Sequence, residues 1–335
     1  MGRLATDFYK ACKGLGLLNA FRIVLRPRVL GRLGIKNKDN EAIDKFIAHN
    51  FSDILKKYEH AVLPESCVIP KIIWVFWWQG EKSMPSVIKV CYNSLQRNAN
   101  GRKVILLDQS NYTQYAHLPE YIIDKLVQGK ISFTHFSDIL RVALLKDYGG
   151  LWMDAAIFVT KPIPLHDGNF YSPRLNEELQ NTAHMSQWVI GVMEAPKQMP
   201  LFLYMYDLLI AYWKKYDGVF SYLMFDCFIK YGYEHIDWIK NLLSQRPIES
   251  PDLHSSRYTF SNEVDEDVLI NLISNNNFLS LTWRIEYPKY ADNGKDTYYY
   301  ALLKKYNINY EDNFNSKDFR GGKPQVLNSE LLLAA

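Results

Sequence analysis

The chain has 335 residues, of which 48% are hydrophobic and 22% charged, so it is long enough for one large α/β domain with an appendage. The net charge is only +3, and the aromatic residues do not interleave with a basic surface motif, which argues against nucleic-acid binding. The four cysteines are scattered without a C-x-x-C pair, which indicates neither a zinc site nor a disulfide framework and favours a reducing cytoplasm.

Positive charge is concentrated in Met1–Lys38, which carries nine basic residues and a single acid, Asp7. Apolar residues are interleaved with the charges, but no uninterrupted run approaches the roughly 18 to 20 residues of a membrane span. The charges continue past the apolar part, unlike those of a signal peptide. Two interpretations stay open: a basic amphipathic segment lying on an anionic membrane surface, or a helical appendage packing on the body or on a second subunit.

The next elements alternate between helix and strand. Asn40–Tyr58 is predicted to be one helix, and Pro64 closes the linker before the main body of the fold. Val68–Trp78 is a nearly continuous apolar run, typical of a central strand that delivers its last residues to the ligand-binding edge of a sheet. A helix over Pro85–Asn98 and a strand over Lys103–Asp108 complete a parallel crossover unit, and Pro119–Val127 predicts another helix.

The chain is organised around the stretch from Thr134 to Pro162. Its pattern predicts a buried helix over Ser137–Asp147, stopped by Tyr148-Gly149-Gly150, and then a strand over Leu151–Val159.

Three charged residues stand out in this stretch. Asp138 and Arg141 are three apart on the helix and leave from one face, and Asp154 interrupts an apolar strand. Buried charges must be paired or directed at a ligand. Taken singly, each also has a structural interpretation, as an intrahelical pair or as a cap on backbone amides.

The second half is predicted to be mainly helical. Trp188–Gly191 resembles a short strand, and Met199–Lys214, Ser221–Tyr231 and Glu234–Leu243 show helical patterns. Phe278–Arg284 is predicted to be a late strand followed by a loop.

The order SDxLR, helical spacer, YGG, aromatic, Asp resembles the core of the GT-A glycosyltransferases that group with capsular polysaccharide synthesis proteins, Och1-type sugar transferases and the large clostridial glucosylating toxins. The resemblance extends over roughly Ile69 to Trp283. It implies a GT-A fold of the α/β class: Rossmann-like, with a mainly parallel central sheet flanked by helices and a helical N-terminal extension. The implied divisions are a basic extension (1–65), a nucleotide-sugar-binding half (66–175), a helix-rich acceptor half (176–300) and a tail (301–335).

The resemblance implies catalytic roles for Asp138, Arg141 and Asp154. In the family, the helix Asp and Arg hold hydroxyls of the donor sugar, and the Asp after YGG opens a D-x-D motif that binds metal and nucleotide. Here the motif reads Asp154-Ala155-Ala156. Asp154 is therefore the predicted ligand of a weakly bound Mn²⁺ or Mg²⁺, and His254 and Asp292 are further candidates.

Nucleotide and donor binding is implied for a second set, Trp77, Ser137, Trp152, Thr282, Trp283 and Arg284. The phrase I-P-K-I-I-x-x-x-W places Trp77 at the base-stacking tryptophan, while Trp74 replaces a family histidine. The residues from Thr282 to Arg284 resemble a loop that closes over the diphosphate. The acceptor half varies most in the family, and its candidates are His184, Trp188, Tyr222 and Asp226.

The expected function is transfer of a hexose from a nucleotide sugar, a UDP-sugar, to a glycan or lipid-linked oligosaccharide in bacterial capsular or surface polysaccharide biosynthesis. Family members retain the anomeric configuration, so the departing phosphate can accept the acceptor proton. The expected location is the cytoplasm or the inner face of the cell membrane. The alternatives are a non-catalytic nucleotide-sugar or glycan-binding protein and a membrane-associated scaffold with a degenerate site.

Overall fold

The computed structural model describes residues 3–21, 38–64, 67–175, 187–244 and 249–311. Its strands are β1 (Ile72–Phe76), β2 (Lys103–Leu107), β3 (Gly150–Met153), β4 (Ile157–Val159), β5 (Val192–Ala195) and β6 (Phe278–Ser280). Its helices are α1 (Arg3–Leu15), α2 (Leu17–Ala20), α3 (Lys38–Asn50), α4 (Ser52–Tyr58), α5 (Ser86–Asn98), α6 (Glu120–Val127), α7 (Phe133–Asp147), α8 (Pro200–Lys215), α9 (Met224–His235), α10 (Asp237–Ser244), α11 (Ser256–Thr259), α12 (Glu266–Asn275) and α13 (Tyr298–Lys305).

The central sheet has the strand order β2-β1-β3-β5, in which β1 pairs in parallel with β2 and β3, and only β5 is antiparallel. Strand β1 is apolar on both faces: Ile73 and Val75 face one hydrophobic cluster, and Trp74 and Phe76 face the other. A strand covered on both sides needs such a continuous apolar run. The predicted α/β fold with a mainly parallel sheet flanked by helices is confirmed.

The helices form a layer on each side of this sheet. Helices α7, α8 and α9 contribute to one hydrophobic cluster, together with α3 and α4. Helices α5 and α13 contribute to the other, which also covers the small antiparallel sheet of β4 and β6. The carboxyl ends of β1, β2 and β3 therefore meet at one edge between the two layers, where ligands bind in open α/β sheets.

The N-terminal helices pack on the body. Ala11, Leu15 and Ala20 are buried in the α7–α8 cluster, and the Asp217 amide donates to the Gly14 carbonyl over 3.0 Å. A Cβ atom on Gly14 would lie 2.6 Å from the Gly218 Cα, so the two backbones touch. The structure thus agrees with the appendage interpretation for residues 3–21, whereas residues 22–37 of the basic segment lie outside the described residues. Within the described part, no helix is both long and apolar enough to cross a bilayer.

Two predicted elements are each divided in the structure. Asn40–Tyr58 is two helices, α3 and α4, because the Asn50 side-chain amide donates to the Phe46 carbonyl at 2.8 Å, and its oxygen accepts from Tyr216 at 2.7 Å. The predicted strand Leu151–Val159 breaks into β3 and β4, which belong to different sheets. The break lies at Asp154. Its amide donates to the Gly191 carbonyl at 2.8 Å, and the chain leaves the central sheet at this point.

Several other helix and strand boundaries differ from the predicted ones. The predicted strand Trp188–Gly191 is wrong: the amide of Val189 binds the Ser172 hydroxyl at 2.8 Å, and the antiparallel strand is β5. Helix α7 begins at Phe133 rather than Ser137, because the Ser132 hydroxyl accepts from the His135 amide as an N-cap. Helices α9 and α10 begin three residues later than predicted, at Met224 and Asp237.

Candidate active site

The turn between α7 and β3 brings the predicted charged residues together. Gly149 and Gly150 have φ values of 72° and 93°, a region that favours glycine. Space is also limited, since a Cβ atom on Gly149 would lie 2.5 Å from the Lys197 amide nitrogen and one on Gly150 would lie 2.7 Å from the Ile72 carbonyl oxygen. The YGG motif therefore lets the chain reverse tightly against β1, and β3 then runs back to place Asp154 beside α7.

Arg141 lies at the centre of the site and is almost completely buried. Its Nη2 donates to Asp154 Oδ1 over 2.9 Å, and its Nη1 lies 3.2 Å from Asp138 Oδ1. The guanidinium lies 5.1 Å from the centroids of both the Trp152 and the Phe225 rings, a cation–π arrangement. The contact between Nη1 and Asp138 is an ion pair without the geometry of a hydrogen bond, and Nε makes no hydrogen bond among the described residues. Buried donors of this kind are costly unless a ligand satisfies them.

Asp154 is the accessible member of the triad, with its side chain 40% exposed. Its Oδ1 accepts from Arg141 and, over 2.7 Å, from Trp152 Nε1. Its Oδ2 faces Gly191, where a Cβ atom would come within 2.9 Å, and it takes no hydrogen bond from the part of the chain that the structure describes. One oxygen of Asp154 is thus fixed by the protein and the other is available to a ligand.

A metal site with three protein ligands is not preformed around Asp154. Within the described ranges, the one group of three His, Cys or acidic side chains with converging ligand atoms is Asp44, Glu234 and His235. The candidates His254 and Asp292 therefore do not complete such a set with Asp154. The donor set fits a cation only if the substrate and water supply most of its oxygen ligands, as is usual for Mg²⁺.

Two further carboxyl groups are buried beside Arg141. Burial raises the pKa of Asp138 to about 7, although Arg141 opposes this and the carboxylates of Asp154 and Asp226 add to it. Burial also raises the pKa of Asp226 to about 6, against the effects of its hydrogen bond from Trp188 and the charge of Arg141. Perturbed carboxyl groups in a cleft are typical of functional sites.

The four predicted acceptor residues do not lie together in the described structure. Trp188 and Asp226 are both buried, and Trp188 Nε1 donates to Asp226 Oδ1 over 2.9 Å. The charges of Arg141 and Asp154 reach Asp226, so this pair lies with the predicted donor residues. Tyr222 is 56% exposed, and His184 lies outside the described residues.

The late loop contacts the opposite half of the protein. Arg284 Nη1 donates to the Tyr222 hydroxyl over 3.0 Å, and its guanidinium lies 5.3 Å from the Trp283 ring centroid. The Thr282 hydroxyl accepts from the Arg284 amide over 3.2 Å. The loop predicted to cover the diphosphate therefore contacts the segment before α9.

The aromatic candidates occupy different environments. Trp74 is buried and donates to the Gly149 carbonyl over 2.8 Å, so it supports the turn. Trp77 lies next to the loop after β1, where the Gly80 amide donates to its carbonyl over 2.9 Å, and its predicted stacking role stays a prediction. Ser137 is half-buried on α7 beside Asp138.

Two contributors to the site have no clear local signal in the sequence. The Phe225 ring packs on the Arg141 guanidinium. The Gly191 carbonyl accepts from the Asp154 amide, and the absence of a side chain at Gly191 leaves room for Asp154 Oδ2. The one sequence signal for Phe225 is its position next to the candidate Asp226.

Comparisons with known proteins give three similarities. The family described as "Capsular polysaccharide synthesis protein" matches residues 29–302. The O-glycosyltransferase braB of Annulohypoxylon truncatum is 30% identical over 102 residues, which cover 28% of this chain and 24% of braB. The match thus spans about a quarter of that relative's length. The solved structure of PaToxG Glycosyltransferase aligns with a TM-score of 0.39 and 17% identity over 61% of this chain and 83% of that chain.

Proposed function

The chain belongs to the family of capsular polysaccharide synthesis proteins, and we propose that it is a glycosyltransferase. It moves a hexosyl group from a nucleotide sugar, a UDP-sugar, to a hydroxyl of a glycan or lipid-linked oligosaccharide in capsular or surface polysaccharide synthesis. The observation that carries the proposal is Arg141, a buried guanidinium that contacts Asp138 and Asp154 and whose Nε and Nη1 make no hydrogen bond within the described part of the chain.

The chemistry of transfer is a problem of charge. The bond from the sugar to the diphosphate breaks, so negative charge grows on the leaving group while the sugar gains oxocarbenium character. Arg141 offers fixed donors to the donor substrate, and Asp138 offers acceptors for sugar hydroxyls. Because the pair is buried and its ring neighbours fix the guanidinium, little reorganisation is needed when charge develops. Trp152 holds Asp154 in place through its 2.7 Å hydrogen bond.

A divalent cation, Mn²⁺ or Mg²⁺, would complete the proposed site. Asp154 Oδ2 would hold it together with diphosphate oxygens and water, since Ala156 supplies no second carboxylate. When bound, the cation would supply positive charge for the diphosphate leaving group. With one protein carboxylate, its affinity is expected to be low.

The remaining candidates surround this centre. Trp77 and Ser137 are assigned to the nucleotide, and the loop from Thr282 to Arg284 to the diphosphate. Arg284 would leave the Tyr222 hydroxyl when the diphosphate offers a stronger, charged acceptor. His184 and Tyr222 remain acceptor candidates. The proposed reaction retains the anomeric configuration, with the departing phosphate accepting the proton of the acceptor hydroxyl.

A comparison of variants tests this function. Release of UDP from UDP-sugars is measured with added Mn²⁺ for the wild type, for Asp154→Asn and for the exposed control Asp124→Asn. Loss of roughly 3 kcal/mol of charge stabilisation corresponds to about a hundredfold slower turnover in Asp154→Asn, while the control keeps wild-type rates. Binding of nucleotide sugar without turnover would support the non-catalytic alternative, and equal rates in all three proteins would refute the role of Asp154.

We also propose that the enzyme is cytoplasmic and attaches peripherally to the inner face of the cell membrane. Leu17 and Leu18 on α2 are 70% and 61% exposed, and Phe21 follows them on the surface, although α1 and α2 pack on the body. Exposed apolar side chains next to a basic segment fit an anionic lipid surface.

Vesicle flotation tests this attachment. The chain should bind anionic vesicles and be released by salt, since roughly 1 kcal/mol per surface Lys or Arg is screened within a Debye length. Leu17→Ser combined with Leu18→Ser should weaken binding without changing UDP release. Equal binding to neutral and anionic vesicles, or none at low salt, would contradict the proposal.

A further inference from the structure

One wall of the candidate site is built by α9, in the helix-rich half of the chain. The Phe225 ring packs on the Arg141 guanidinium, and the next residue, Asp226, is 3% exposed. Trp188 Nε1 fixes Asp226 Oδ1 at 2.9 Å. A buried carboxylate with a dedicated indole donor is held in a defined position, and its neighbours are the residues assigned above to the donor sugar.

The site has an excess of negative charge. Three carboxyl groups, Asp138, Asp154 and Asp226, lie close enough to Arg141 for its charge or contacts to affect them. One guanidinium cannot neutralise all three groups, even though the raised pKa of Asp138 leaves that group partly protonated near pH 7, because the charge of the proposed cation is offset by the diphosphate of the donor. Burial strengthens the interactions of the charges that remain, because the surrounding Trp152, Trp188 and Phe225 rings exclude water and lower the local dielectric constant.

Neighbouring basic side chains are directed elsewhere. Lys230, one turn after Asp226 on α9, forms ion pairs with Glu234 and Asp44. Arg284 contacts the Tyr222 hydroxyl at the rim, and in the proposed function it moves to the diphosphate. Neither supplies a cation to the buried carboxylates in the described structure.

We propose that Asp226 determines donor specificity: with Asp138 and Asp154 it makes the sugar subsite select hexoses that carry only hydroxyl or other neutral groups and reject uronic acids. This inference rests on the proposed function. Sugar hydroxyls can donate to the carboxylates and complete their hydrogen bonds. The carboxylate of a uronic acid brings another negative charge to a subsite that already has an excess, and it has no proton to donate.

A panel of matched donors tests the proposal. UDP release by the wild type is measured with UDP-glucose and UDP-galactose and with their C6-oxidised counterparts, UDP-glucuronate and UDP-galacturonate. Repulsion between the uronate carboxylate and one site carboxylate about 6 Å away, at an effective dielectric constant of about 20, corresponds to roughly a hundredfold lower kcat/KM for the uronates. This comparison needs no variant. A uronate used as well as or better than its neutral counterpart would overturn the inference while leaving glycosyl transfer intact.

Asp226→Asn isolates the charge. The amide oxygen can still accept from Trp188, so the change removes a charge with little change of shape. We expect the ratio of neutral to uronate kcat/KM to narrow by about tenfold, whereas the exposed control Asp237→Asn keeps the wild-type ratio. Competitive inhibition by UDP confirms that the variant has an intact nucleotide site. An unchanged ratio in Asp226→Asn would refute its role in specificity, and absence of UDP release from every donor in the wild type would refute the proposed function itself.

Discussion

Replacing Arg141 with glutamine perturbs the charge balance on which this account of the site depends. The substitution removes the only guanidinium that pairs with Asp138 and Asp154 in the described chain. Breaking a buried ion pair on one side typically lowers the free energy of unfolding by about 3–5 kcal/mol. We therefore expect a loss of that size for Arg141→Gln at pH 8.5. The exposed Arg97→Gln, whose guanidinium packs on Tyr306, serves as a control and should lose less than about 1 kcal/mol.

The loss should depend on pH through Asp138. Its pKa in the folded wild type is about 7, above the unfolded value of about 4. Between these pH values the folded state keeps the proton and the unfolded chain loses it, so Asp138 lowers the free energy of unfolding as the pH rises. Without Arg141 the folded pKa rises further. Below pH 7 the group is protonated in both folded proteins, and Asp138 adds nothing to the difference. Above pH 7 only the variant keeps the proton, so the difference grows by about 1.4 kcal/mol per pH unit, or about 2 kcal/mol by pH 8.5.

Urea unfolding followed by tryptophan fluorescence measures both quantities. The unfolding free energies of wild type, Arg141→Gln and Asp138→Asn/Arg141→Gln are compared at pH 6.0 and 8.5. The double variant should lose the part of this pH dependence that comes from Asp138, and the part that remains comes from Asp226, whose pKa Arg141 also lowers. A destabilisation by Arg141→Gln that is equal at both pH values, or smaller than about 1 kcal/mol at pH 8.5, would refute the assignment of a buried, coupled pair.

Two other substitutions give separate tests. Ala156→Asp restores a second carboxylate to the D-x-D position and should tighten Mn²⁺ binding, because the cation gains a hard oxygen ligand. Titration of UDP release with Mn²⁺ measures this change. An unchanged titration curve would place residue 156 away from the cation. Gly218→Val should detach α1 and α2 from the body, since even a Cβ atom on Gly218 would lie 3.0 Å from the Gly14 Cα. Hydrogen exchange should then increase in residues 3–21 and not in β1, and uniform protection would contradict this packing.

The sequence predicted the elements whose signals are local. The apolar run of β1, the crossover through α5 to β2, and α7 with its glycine stop follow from periodicity and from backbone conformations that only glycine adopts readily. The proximity of Asp138 and Arg141 to Asp154 also follows, because a tight turn between a helix and a strand fixes their relation.

The sequence could not predict features that depend on distant partners. The chain leaves the sheet at Asp154 because its amide binds the Gly191 carbonyl, and α3 ends at Asn50 because its side chain binds Phe46 and Tyr216. Asp226 was assigned to the acceptor because its helix lies in the acceptor half. Its position beside Arg141 depends on how α9 packs on α3 and α8 and brings Phe225 against Arg141, which no local pattern encodes.

Mass spectrometry of a nucleotide-sugar panel incubated with the purified chain and Mn²⁺ measures whether the site transfers a sugar from its nucleotide. The site is predicted to bind a donor sugar and release its diphosphate, so at least one neutral UDP-hexose should yield free UDP and hexose, with less product after addition of excess EDTA. Undiminished release in EDTA would show that protein side chains alone stabilise the leaving group. If every nucleotide sugar in the panel remains intact and none binds to the folded chain at millimolar concentration, the chain is not a glycosyltransferase of this kind.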